Sequence, residues 1–109
     1  MSDILISTMN DVPGYEITAV HGEVFGVIVR ARNAFSNIGA GFRTLVGGEA
    51  KGYTKLLTDS RIHAQERVEE AAREKGGNAV IAMRFDCNEI ANLMSEVAAY
   101  GTAVTIRRA

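Results

Sequence analysis

The chain has 109 residues, 47% of them hydrophobic and 23% charged, with a formal net charge of −1 at pH 7. This length predicts one domain over residues 1–109, and the small net charge gives no bulk attraction to nucleic acid or to an anionic membrane. A single cysteine cannot form an intrachain disulfide. The first eleven residues lack the pattern of a signal peptide, and no apolar stretch approaches the ~18 residues of a spanning helix, so we expect a cytoplasmic protein.

The first third of the chain predicts three β-strands. Residues 4–8 (ILIST) form a short β-branched run, and residues 15–20 (YEITAV) and 23–29 (EVFGVIV) form two longer ones. Pro13-Gly14 suits the centre of a type II turn, because proline fixes one φ and glycine accepts a positive φ. His21-Gly22 separates the two longer runs, and we expect the chain to reverse there in a hairpin.

Helical periodicity follows these strands. Apolar residues recur at spacings of three and four between residues 31 and 46, which predicts an amphipathic helix ended by Gly47-Gly48. Residues 49–75 predict a longer second helix, and Gly76 is placed to take the left-handed conformation at its end. Residues 79–85 and 94–107 predict two last strands around a polar turn at 88–92. The resulting order is β-β-β-α-α-β-β, an α+β fold whose antiparallel or mixed sheet is flanked by two helices.

Several of these strands are apolar on both faces. Strict alternation places Ile81, Met83 and Phe85 on one face of the 79–85 strand and Val80 and Ala82 on the other. Such strands are typical of sheets covered on both sides, whereas two consecutive helices cover one face. We therefore expect an obligate homo-oligomer, either by packing of sheets or by edge-to-edge joining into a barrel. A monomer with a small, alanine-rich second face is the alternative.

Five stretches resemble the YbjQ-like family of small bacterial and archaeal proteins, which carries a heavy-metal-binding label. They are HGEVFG (21–26), VGGE (46–49), GYTKLL (52–57), GGNAVIAMRFD (76–86) and AYGTAV (99–104). The resemblance covers nearly the whole chain. It implies an α/β subunit with an antiparallel sheet flanked by helices, assembled into a ring that we expect to be a homopentamer. The family supplies no established activity.

Three side chains are candidates for a divalent or soft metal ion, namely Cys87, His21 and His63. Soft metals are bound by thiolates and imidazoles, but these three are far apart in sequence and form no CxxC, HxxxH or HxxEH motif. For Cys87 we favour the alternative of a small, partly buried packing side chain at a strand end. His63 is explained as a surface partner of Asp59, one helical turn away.

Charged residues interrupt the apolar strands at Arg84 and Asp86, and Glu96 lies on the last strand. If another subunit covers their face, these charges must pair or border water, because an unpaired buried charge is costly. They therefore line either a subunit interface or a central channel, or else mark the solvent end of the sheet. The sequence contains no acid–base constellation, which favours a non-enzyme that binds a metal or small ligand at subunit interfaces. A small-molecule carrier or a ring-shaped scaffold without metal is the alternative.

Overall fold

Five elements make up the described part of the chain. The computed structural model describes residues 3–31, 51–90 and 94–109. The elements are β1 (Leu5–Ile6), β2 (Tyr15–Ala31), α1 (Lys51–Glu74), β3 (Ala79–Ile90) and β4 (Met94–Arg108). The long helix and both C-terminal strands are thus confirmed, while β3 continues into the region expected to turn. The helix predicted for 31–46 lies outside the described residues from position 32 onward.

The strands form one mixed sheet in the order β1-β3-β4-β2. β1 runs parallel to β3, and β4 pairs antiparallel with both β3 and β2. This confirms an α+β fold with a mixed sheet, with one helix in the described residues. That helix is not long and apolar enough to cross a membrane.

The predicted hairpin at His21-Gly22 is wrong, because β2 is one continuous strand of 17 residues. Gly22 does have a positive φ, of 103°. The strand uses this conformation inside an irregularity between Val20 and Gly22, where its register against β4 shifts, and not in a turn. The 15-residue β4 pairs along nearly the whole of β2, so the chain has no need to reverse. The type II turn at Pro13-Gly14 is confirmed: Gly14 has a φ of 86°, and the amide of Tyr15 donates to the carbonyl of Val12.

Strict alternation also fails in β3. Ala82 has a φ of 54°, and the register against β4 shifts between Ile81 and Arg84. The shift leaves two residues opposite one, so Val80 and Met83 both pack into the core beneath the helix. Ile81 instead packs with a smaller cluster on the other side of the sheet.

α1 covers one face of the sheet, mainly over β2 and β4. Ala64, Val68 and Ala72 are fully buried at spacings of four. Small side chains let the helix approach so closely that a Cβ on Gly26 would lie 2.4 Å from the carbonyl oxygen of Ala64. The helix ends as predicted at Gly76, whose φ is 88°. The amides of Gly76 and Gly77 donate to the carbonyls of Arg73 and Ala72 in a Schellman motif.

Candidate functional site

The side of the sheet that faces away from α1, called the open face below, carries large apolar side chains in contact with solvent. Val20, Phe25 and Val29 of β2 are 68%, 63% and 49% exposed. Among the described residues, a small cluster that Val12 and Tyr15 help to form around Val104 shelters one end of this face. Single exposed apolar residues are ordinary, but three along one strand form a patch of the kind that marks a contact surface.

Polar residues occupy the half of the open face formed by β3 and the adjoining part of β4. Arg84 and Phe25 both pair with Tyr100, which places the three side chains in one row across the sheet. Asp86 pairs with Ala98 in the next row, and Glu96 follows in the row after that. The three charged candidates therefore share the open face, as alternation from Arg84 onward requires.

These charged side chains are held by short-range contacts. Nη1 of Arg84 donates to the carbonyl oxygens of Thr8, at 2.8 Å, and Met83, at 2.9 Å. Glu96 accepts from the side-chain amide of Asn88, with Nδ2 and Oε1 3.3 Å apart. Because Arg84 and Asp86 are both exposed, neither is an unpaired buried charge in the single chain.

The three metal-ligand candidates have different local partners. His21 lies near the end of α1, with Nε2 2.7 Å from Oγ1 of Thr105. His63 lies on the outer surface of α1, and Cys87 is exposed on β3. Within residues 3–31, 51–90 and 94–109, no three His, Cys, Asp or Glu side chains gather closely enough to hold a metal ion.

Arginine side chains lie beside two of these candidates, His63 and Cys87. Nη2 of Arg30 lies 3.2 Å from Nδ1 of His63, and Nε of the same arginine donates to the buried hydroxyl of Ser60. The expected partner of His63 is therefore wrong, and Asp59 pairs with Lys55 at 3.0 Å. Lys55 lies one helical turn before Asp59, and this i,i+4 spacing brings the two opposite charges together.

Cys87 lies on the helix-covered side of the sheet but outside the buried core. Its Sγ is 4.0 Å from Nη2 of Arg61, whose guanidinium carbon lies 5.1 Å from the ring centroid of Phe85. This arginine lies over both side chains and extends along the β3 margin. The thiol is exposed, which does not support the alternative role of a packing side chain at a strand end.

A cleft along the other margin of the helix was not predicted from the sequence. Its volume is about 330 Å³. Its lining residues come from one side of α1 and from β2: Ile28, His63, Glu66, Arg67 and Glu70. The spacing of three and four between the helical members was visible in the sequence, but the strand that completes the cleft was not.

Two cations, one on α1 and one just after it, bind the backbone of β2 along its outer edge. Nη1 of Arg67 donates to the carbonyl oxygen of Val27 at 2.6 Å, and Nζ of Lys75 donates to that of Glu23 at 3.0 Å. Since β2 lies at the edge of the sheet, these contacts occupy carbonyl groups that another strand would use.

Comparison with known proteins identifies many sequence relatives. Residues 4–107 match the model of the YbjQ family, described as "Putative heavy-metal-binding". A UPF0145 protein of Streptomyces griseus is 53% identical over 107 residues, covering 98% of this chain and 88% of the relative. The UPF0145 protein YjfJ of Lactococcus lactis is 53% identical, covering 99% of both chains. A UPF0145 protein of Sulfurisphaera tokodaii is 50% identical, covering 98% of this chain and 94% of the relative.

A solved structure shares the fold. It is a protein of unknown function from Pediococcus pentosaceus that belongs to the DUF74 family. The two structures superpose with a TM-score of 0.65, covering 95% of this chain and 98% of the other, at 17% sequence identity. At that identity the match supports the architecture and carries no activity across.

Proposed function

The chain belongs to the YbjQ family of uncharacterised proteins, and from this membership we propose that it is the subunit of a homopentameric ring that binds a metal ion or a small ligand at its subunit interfaces. The proposal requires no catalytic step and no nucleic-acid partner. Two features of the described residues support it: an apolar surface exposed on the sheet, and candidate metal ligands that do not come together within one chain.

The observation that carries the proposal is the exposure of the open face. Phe25 and its neighbours on β2 belong to a strand that is buried on its other face, as Val24 and Ile28 show. A soluble protein gains free energy by removing such a strip from water, at roughly 25 cal/mol per Å² of apolar area. A closed assembly of identical chains provides that burial for every copy at once.

Ligand binding between subunits follows from where the candidate side chains lie. His21 is near the end of α1, His63 borders the cleft, and Cys87 lies beside Arg61. A thiophilic metal needs three or four donors around one point. Because these side chains do not come together in the described part of one chain, the proposed site takes donors from more than one chain.

The charged residues of the open face also have a role in the proposed ring. Arg84, Asp86 and Glu96 share the open face with the apolar residues of β2 but occupy its other half. Packing of the apolar half against a neighbour leaves the charged half at the border of the contact, where it lines a water-filled channel. Charges in that position keep their hydration and avoid the cost of burial.

The test is the mass and content of the untagged wild-type protein. Sedimentation equilibrium at micromolar concentration should give five times the 11.7 kDa chain mass, and elemental analysis should give metal in fixed proportion to the chains. A retained organic molecule in the absorbance spectrum would favour a carrier, and an empty ring a scaffold. A stable monomer would refute the assembly and every interface site with it.

A further inference from the structure

We propose that neighbouring subunits join edge to edge at one end of the sheet, with residues 85–90 of β3 in one copy beside residues 28–31 of β2 in the next. This inference rests on the ring proposed above and adds a second contact, between sheet edges, to the burial of the open face. Three observations support it. The outer edges of β2 and β3 each have a stretch without a partner strand in the described residues, the two stretches lie at the same height along the strands and run in the same direction, and charged side chains of α1 lie above both.

The outer edge of β3 is covered only over its first part. β1 pairs with Ala79 and Val80, and the amides of Ala82 and Met83 donate to the carbonyls of Met9 and Ser7. Backbone N–H and C=O groups alternate between the two edges of a strand. Because the amide of Met83 points to the outer edge, the backbone groups of Phe85, Cys87 and Glu89 also point to that edge. In the described part of the chain, no strand pairs with this stretch.

Within residues 3–31, 51–90 and 94–109, the outer edge of β2 is closed over its middle and has no partner strand near its end. Lys75 and Arg67 occupy the carbonyls of Glu23 and Val27. The same alternation makes Val29 and Ala31 the next outward residues, and they lie beyond both cations. Edge protection of this kind limits strand addition to the part of an edge that is left free.

The two open stretches lie at the same level of the sheet. Cys87 pairs with Val97, which pairs with Ile28, and Glu89 pairs with Ser95, which pairs with Arg30. β2 and β3 also run in the same direction, because both are antiparallel to β4. A rotation about an axis along the strands therefore brings one stretch beside the other in parallel. Two different edges in contact form a head-to-tail interface, which gives a closed ring when the rotation between neighbouring copies is a whole fraction of a full turn.

The helix surfaces above these margins are complementary in charge. Arg61 extends over Phe85 and Cys87 at the β3 margin. Glu66 and Glu70 line the cleft at the β2 margin, together with Arg67, whose guanidinium donates to the carbonyl oxygen of Val27. Joining the margins brings the guanidinium of one copy toward the carboxylates of the next, and Cys87 toward the margin that carries His63.

Cross-linking tests the geometry. Cys87 is the only cysteine of the chain, so His63→Cys adds one thiol on the opposite margin. A short bifunctional thiol reagent should then yield covalent dimers and higher multimers on a denaturing gel. Glu74→Cys is the matched control, because it lies on the same side of α1 but about 16 Å further along the helix axis. Adding Cys87→Ser to His63→Cys should abolish the multimers.

Charge reversal provides an independent measurement that needs no new thiol. Arg61→Glu and Glu66→Arg should each raise the dissociation constant of the ring about five-fold, because each replaces an attraction with a repulsion. The double variant should recover most of the wild-type affinity. If each reversal is neutral, or the double variant is as weak as the two singles combined, the edge contact is refuted.

These experiments distinguish failure of the edge contact from failure of the ring itself. A wild-type monomer in sedimentation overturns the ring and the edge contact together. A wild-type ring that cross-links no better through position 63 than through position 74 overturns the edge contact and leaves the ring intact. If His63→Cys itself fails to assemble, the charge-reversal series decides.

Discussion

Replacing Phe25 by aspartate directly perturbs the apolar strip of the open face. The side chain is 63% exposed in the single chain, so the substitution removes few contacts within the subunit. Surface substitutions of this kind usually change the free energy of unfolding by no more than about 0.5 kcal/mol. In the proposed ring, the same position would be buried against a neighbour, so the substitution should act mainly on assembly.

The expected effect on assembly can be estimated from that exposure. Full burial of a phenylalanine side chain contributes about 1.5–3 kcal/mol, so burying the exposed 63% contributes about 1–2 kcal/mol per contact. A carboxylate without a partner adds a further cost of about 1–3 kcal/mol. The sum is about 3 kcal/mol, which corresponds to a roughly hundred-fold weaker contact.

Sedimentation velocity over a range of protein concentrations measures this effect. Phe25→Asp should sediment as a folded 11.7 kDa monomer at concentrations where the wild type is assembled, with an unchanged far-UV circular dichroism spectrum. Ile62→Asp is the control, because Ile62 is also an exposed apolar residue, at 50%, but lies on the helix. If Phe25→Asp assembles as tightly as the wild type, the open face is not the contact.

Three further substitutions test the architecture, each by urea unfolding at a fixed protein concentration. Gly26→Ala should destabilise by about 3 kcal/mol, because a Cβ 2.4 Å from the carbonyl oxygen of Ala64 forces the helix off the sheet; a loss below about 1 kcal/mol would contradict the close packing. Ala82→Gly should be neutral or stabilising by up to about 1 kcal/mol, since a φ of 54° suits glycine; a clear loss would contradict the bulge. Asp3→Asn tests the ion pair with Arg73, whose hydrogen bond is the main cause of a lowered pKa at Asp3. The wild type should be the more stable above about pH 4, and this difference should disappear as the pH falls through the lowered pKa; a difference that persists in acid would exclude it.

Much of the fold could be predicted because its determinants are local. The long helix is visible from its periodicity, and its end from Gly76. The positive φ of Gly14 follows from the Pro-Gly pair, since only glycine accepts that conformation without strain. The two faces of β4 also alternate as expected, with Val97 and Ala103 beneath the helix.

The errors arise where a partner distant in sequence overrides a local signal. His21-Gly22 has the composition of a tight turn, yet β4, about 80 residues later, pairs on both sides of it and keeps β2 extended. The shift at Ala82 leaves no local signal either, because alanine is not a residue that favours a positive φ. A period of two therefore placed Ile81 and Met83 on the same face, whereas they lie on opposite faces of the sheet.

The candidate site was predictable in outline only. The exposed apolar face follows from counting the segments available to cover it, and Arg84, Asp86 and Glu96 share that face as alternation suggested. The cleft and the two cations on the β2 edge could not be found in this way. They depend on how α1 lies across strands far from it in sequence.

The left-handed Ala82 gives β3 two halves of opposite phase. Before it, the even-numbered position 80 faces the helix; after it, positions 83 and 85 do. Polar substitutions should therefore be tolerated at odd-numbered positions before the bulge and at even-numbered positions after it. Loss of Ala82 would leave one residue opposite Gly101 and bring both halves into a single phase, with Arg84 and Asp86 still on the open face.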